Sequence, residues 1–234
     1  MSEEDIKRTV EILKNALESK AKELYDNYGI SDFCDIGDLN FTEDLLFHFK
    51  DALDGKNTYQ LFSYLVARKG DINEDEISLY VAETLHHFAV KLKHDFEDID
   101  AKYGRDISDK LNDEAEMILP AFKSNRFCRS YRSYMLGLIE FHRGLLSTQK
   151  DKFAKHLIKS AEYLEECVDD VDSSKEELWI VYGTLHDADL VPDEAKETFE
   201  KNYKAFREKF PDLMKEMAKR MAEGDQELED LKNT

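Results

Sequence analysis

Proline and glycine are scarce in this chain, with three Pro and nine Gly in 234 residues. Strands need such residues wherever they turn, and the long stretches between them are rich in Lys, Glu, Leu and Ala, so the fold class expected is all-α. Cysteine is equally sparse. Cys34, Cys128 and Cys167 are odd in number, far apart and outside any C-x-x-C arrangement, which excludes a cysteine-ligated zinc site of standard spacing and fits reduced, buried thiols. Long apolar runs are missing, so no segment reads as a transmembrane helix. The start, Met1-Ser2-Glu3-Glu4-Asp5, is acidic where a secretory signal needs a basic start and an apolar run, and a cytoplasmic location is expected. Positive charge is short: 33 Lys and Arg stand against 52 Asp and Glu, for a net charge of −19. Such a field repels phosphate backbones and anionic lipid, so neither nucleic acid nor membrane is an expected partner. No Gly-rich phosphate loop, G-x-S-x-G elbow or H-E-x-x-H pair occurs, and the many Asp and Glu read as solvated helix faces.

Against these absences stand apolar positions recurring at three and four. From Glu3 to Tyr28, Ile6, Val10, Leu13, Leu17, Leu24 and Tyr25 mark one long amphipathic helix ended by Gly29. Asn40-Phe41-Thr42 offers a cap for a short apolar helix with Leu45, Leu46, Phe47 and Phe49. A third helix is expected from Thr58 to Lys69, stopping at Gly70, and a fourth from about Asp75 to Tyr103, closed by Gly104. His86, His87 and His94 lie on the fourth and read as satisfied or exposed histidines rather than ligands. A fifth runs from Ile107 to Leu119, before Pro120.

Between Trp179 and Phe199 spacing, residue size and a turn agree on one unit. Trp179, Tyr182-Gly183 and His186 precede a break at Val191-Pro192-Asp193, after which come Ala195 and Phe199. This order resembles a tetratricopeptide (TPR) repeat, in which small residues let two antiparallel helices approach and aromatics fill the groove. The resemblance implies that Gly183 and Ala195 face each other with Trp179 and Phe199 buried beside them. Leu136-Gly137 and Phe153 repeat the Gly-to-Phe spacing in a weaker unit, where Ser133 and Gln149 depart from the pattern.

Within that weaker unit lies the one basic island. Lys123, Arg126, Arg129, Arg132 and Arg143 fall in a stretch whose single acid is Glu140. On a helical projection Arg126, Arg129, Arg132 and Arg143 share one side, and Phe127, Tyr131, Tyr134, Leu138 and Phe141 the other. Guanidinium groups held in register by a packed aromatic face suit two-pronged capture of carboxylate or phosphate, so these five residues are the candidate partner-binding set. The plainer alternative is that they neutralise acids on neighbouring helices. A separate resemblance concerns His156 and Leu185-His186-Asp187, which look like the first half of an HD-type metal phosphohydrolase. In that family a His, a His-Asp pair and a distant Asp hold a divalent metal that activates water. Here the fourth ligand has no recognisable setting and the Gly-Lys common after the pair is missing.

The expectation is therefore one all-helical domain over 1–234. N-terminal helices fill 1–119, TPR-like pairs fill 120–210, and 211–234 forms a cap with Leu213, Met214, Met217 and Met221 before an acidic, frayed tail. It is read as a non-catalytic adaptor that binds a protein, or an acidic or phosphorylated peptide, in a groove between helices, with no cofactor. The alternatives are the HD-type hydrolase with His156, His186 and Asp187 on a metal, and an acidic regulatory or oligomerisation bundle whose partner is basic or a second copy of the chain.

Overall fold

A computed structural model describes residues 3–28, 60–95, 97, 101–123, 125–217 and 219–220. Every regular element among them is a helix. In chain order these are α1 (Glu3–Tyr28), α2 (Gln60–Ala67), α3 (Glu74–Asp95), α4 (Ala101–Ile118), α5 (Arg126–Leu146), α6 (Lys150–Cys167), α7 (Ser173–Asp187) and α8 (Lys196–Lys209), followed by helical residues 211–217. The expected short helix around Leu45 to Phe49, Cys34 and the tail from Gly224 lie outside the described residues.

Local chemistry sets the boundaries. Gly70 turns the chain between α2 and α3 at φ +81°, the left-handed region that costs glycine nothing. Asn73 then opens α3 with a capping box: its Oδ1 accepts from the Glu76 amide at 2.9 Å, and Glu76 Oε2 accepts from the Asn73 amide at 3.1 Å. Asn125 caps α5 by accepting from the Cys128 amide at 3.1 Å. One expected boundary is wrong. The helix from Asp75 to Tyr103 is two helices, and Gly104 does not close the first but lies buried in the first turns of α4, where its carbonyl accepts from Ser108 Oγ at 2.6 Å. Glycine ends a helix when it takes positive φ, and among the described glycines only Gly70 does so.

Helix α3 packs along α4, and α5 along α6, with α1 and α2 against α3 and α5 joining the two pairs. Ile6, Leu13, Leu17 and Leu24 on α1 are buried, as the spacing predicts, with Leu61, Leu65, Leu79, Leu85, Leu111, Met135 and Ile139 in the same core. The α5/α6 pair is antiparallel and close. A Cβ on Gly137 would lie 2.7 Å from Leu164 Cγ, one on Gly144 3.3 Å from Phe153, and Ser160 Oγ donates to the Gly137 carbonyl at 2.8 Å.

The close approach expected at Gly183 is not there. Gly183 is half-exposed, and nothing lies within 4 Å of where its Cβ would be. Helices α7 and α8 are instead spaced by Tyr182, whose ring meets Phe199 at 5.5 Å, Tyr203 at 5.4 Å and Phe206 at 5.6 Å. With Tyr182 filling the groove, its neighbour Gly183 points about 100° away around the helix. Phe199 is buried, while Trp179 and Ala195 are only partly so.

Candidate functional site

The aromatic face of α5 fixes the helix: Tyr131 and Tyr134 are buried, and Phe127 stacks on Tyr64 at 4.5 Å. The arginines on the other side part into three environments. At the N-terminal end Arg126 forms a two-pronged bridge to Asp170, Nε to Oδ2 at 3.1 Å and the second nitrogen to Oδ1 at 2.7 Å. Ser130 Oγ donates to the same Oδ2 at 2.7 Å. Arg126 and Ser130 hold the Asp170 carboxyl below its ordinary range.

One helical step on, the pattern recurs without completion. Ser133 Oγ donates to Glu166 at 2.9 Å, yet Arg129 turns to the Lys123 carbonyl at 3.2 Å. Arg132 Nε is buried with no hydrogen-bond partner. These side chains, with Ser130, Phe122 and Ala121, line a cavity of about 380 Å³. Lys123 is exposed beside it.

The third environment departs from the expected stripe. Arg143, about 25 Å along α5 from Arg126 at 1.5 Å per residue, is only 12% exposed and is spent on Asp113 at 2.5 Å, Glu116 at 2.6 Å and Glu140 at 3.2 Å. Arg126 and Arg143 therefore balance charges of neighbouring elements, and Arg129 and Arg132 alone of the four line the cavity.

His156, His186 and Asp187 do not meet. His156 Nδ1 bonds Glu140 at 2.7 Å on the α5/α6 seam. His186 is exposed at the end of α7, with Nδ1 3.0 Å from Asp187 and its ring 5.4 Å from Tyr203. Their separation follows from their helices, since His186 faces α8 rather than α5. Among the described residues no group of three His, Cys, Asp or Glu is disposed to hold a metal ion.

A buried polar cluster escaped the sequence reading. Glu83 and His86, a Glu-x-x-His spacing on α3, both face the core. Asn112 on α4 bridges His86 Nδ1 at 3.1 Å and His142 Nδ1 at 3.0 Å, and the two imidazoles lie edge to face at 5.7 Å. Tyr131 donates to Glu83 Oε1 at 2.5 Å, while Glu83 Oε2 and His142 Nε2 are buried without partners. Burial, with the charges of His87 and His142, pushes His86 down to about 3. Burial, with Lys93 and His94, pushes His142 down to about 4. The Glu83 carboxyl is held above its usual range by burial. The spacing of Glu83 and His86 was the available signal. Asn112 and His142 carried none, because nothing in a sequence places two distant helices against that face.

Burial also pushes the Cys128 thiol up to about 11 and the Cys167 thiol up to about 12, so neither is a ready nucleophile. No helix among the described residues is long and apolar enough to cross a membrane. Family models, curated proteins and solved structures were each compared with the chain, and none matches.

Proposed function

We propose that the chain is a protein-interaction module of the cytoplasm that takes a carboxylate- or phosphate-bearing segment of a partner protein into the cavity at Arg129 and Arg132. The observation that carries this reading is the Arg132 guanidinium, whose Nε is buried and has no acceptor. A buried charged donor without a partner costs on the order of 1–3 kcal/mol or more, a penalty that an incoming oxyanion removes. Arg126, Ser130 and Asp170 form a completed version of the same arrangement, one guanidinium and one hydroxyl on a carboxylate. Arg129 and Ser133 stand at the same four-residue separation, and Ser133 already holds Glu166. The helix pairs that follow one another from α3 to α6 support a stacked, TPR-like array as the frame that holds this groove.

In a chain of net charge −19 the groove is a local exception to a repulsive surface. Binding by fluorescence anisotropy tests it, using labelled peptides that are Asp/Glu-rich, phosphoserine-bearing or neutral. The anionic peptides are expected to bind and the neutral one not. The variant Arg129→Gln/Arg132→Gln, with its thermal unfolding unchanged, is expected to weaken binding by about tenfold or more, the equivalent of one charged hydrogen bond. Equal affinity in the variant, or no preference for anionic peptides, sinks the proposal.

A further inference from the structure

Near the C-terminal end of α5 the Glu140 carboxylate, 2% exposed, gathers His156 Nδ1 at 2.7 Å, Lys159 at 2.7 Å and Arg143 at 3.2 Å. Burial raises the Glu140 carboxyl, but Lys159 and His156 outweigh it and the net direction is down, so Glu140 is ionised. An ionised carboxylate only accepts, which makes His156 Nδ1 the donor and leaves Nε2 as the atom with a lone pair. Nε2 has no partner among the described residues. His156 lines a cavity of about 580 Å³ between α4, the turn 147–149 and the first turns of α6.

The charges on this cavity divide into spent and unspent groups. Arg143 is taken by Asp113 and lies 3.9 Å from Asp109. Lys102, Arg105 and Lys152 line the same space and have no acid partner among the described residues, against one unpaired acid, Asp106. With every charge on the lining counted, four basic groups face three acids, so it is weakly cationic although the chain is not.

We propose that this cavity binds the phosphate monoester of a small molecule, its oxygens on Lys102, Arg105 and Lys152 and one proton shared with His156 Nε2. A phosphate monoester has its second pKa near 6, close enough to neutrality for a phosphate oxygen to bring that proton in with it, and inorganic phosphate carries at least one proton at pH 7. Sulfate has the same shape but no proton to share, and leaves the Nε2 lone pair facing an anion. The cavity falls in the size range of small-molecule sites.

The intact chain and inorganic phosphate suffice as the test, reading the imidazole signals of His156 by NMR at pH 7 and constant ionic strength. Phosphate is expected to shift them saturably, and sulfate to bind about tenfold more weakly or worse. Lys102→Gln/Lys152→Gln, both solvent-facing and harmless to the fold, is expected to weaken phosphate binding by a similar factor. Arg129→Gln/Arg132→Gln is expected to leave it unchanged, so this site and the peptide groove succeed or fail separately. Shifts at His156 no larger than those at exposed His94, equal response to phosphate and sulfate, or full binding in the double Lys variant would each overturn the assignment.

Discussion

Acid should destabilise this protein well before its carboxylates are titrated, and the reason is the pair of imidazoles bridged by Asn112. The amide nitrogen of Asn112 donates to His142 Nδ1, so that ring is neutral in the fold; its oxygen accepts from His86 Nδ1, and burial keeps that ring neutral as well. A proton on His142 Nδ1 would set two donors against each other, and His86 could take one only on a ring that is 4% exposed. The folded pKa values, about 3 and about 4, lie below the ordinary 6.5. For a base the sign follows directly: the unfolded chain binds protons below 6.5 that the native state refuses. Stability is complete above that pH and falls as pH drops, until the folded values are reached. Between pH 7.5 and 5.5 each ring costs about 1.4 kcal/mol, and the pair about 3 kcal/mol of a total of order 5–15. Glu83 acts in the opposite sense, because its raised carboxyl takes a proton in the fold before it would when unfolded. Urea denaturation followed by circular dichroism at pH 7.5, 6.5 and 5.5 therefore needs a variant as reference. His86→Gln/His142→Gln should lose about 3 kcal/mol less than the native chain over that range, and His142→Gln alone about half of that difference. If the native chain and both variants lose stability in parallel, the buried imidazoles do not set its acid sensitivity.

Three further outcomes are expected. Gly137→Ala should destabilise by about 1–3 kcal/mol through overpacking against Leu164, whereas Gly183→Ala should be neutral or stabilise by up to about 1 kcal/mol, since its Cβ meets nothing and alanine favours the helix; thermal and urea unfolding compare the two. Glu83→Gln should raise stability at pH 8 by removing a buried carboxylate with an unpartnered oxygen, and the gain over native should shrink as pH falls and Glu83 takes its proton; unfolding curves at pH 8 and at successively lower pH measure it. Cys128 and Cys167, buried and with raised thiols, should resist iodoacetamide at pH 8 and react only in urea, as mass spectrometry of the modified peptides would record.

How far a sequence shows a site depends on whether the deciding contact is local. The helical stripe of α1 was legible because Ile6, Leu13, Leu17 and Leu24 must share a face whatever they pack against. The two sides of α5 were legible for the same reason, and Tyr131 and Tyr134 are buried as their spacing predicts. Which glycine lets two helices touch was not legible. Gly137 and Gly183 look alike in the chain, and the difference lies in the partner: Leu164 arrives at one, while Tyr182 holds α8 away from the other. The arginines make the same point in charge. Their common side follows from the helical period, but each one's fate was set by acids elsewhere in the chain. Asp170 took Arg126; Asp113 and Glu116 took Arg143. The proposed binding surface on this acidic protein is therefore what remains after internal pairing. Arg132 is the arginine of the stripe with a buried nitrogen left without an acceptor, and the groove around it follows from that remainder rather than from the number of arginines the helix carries.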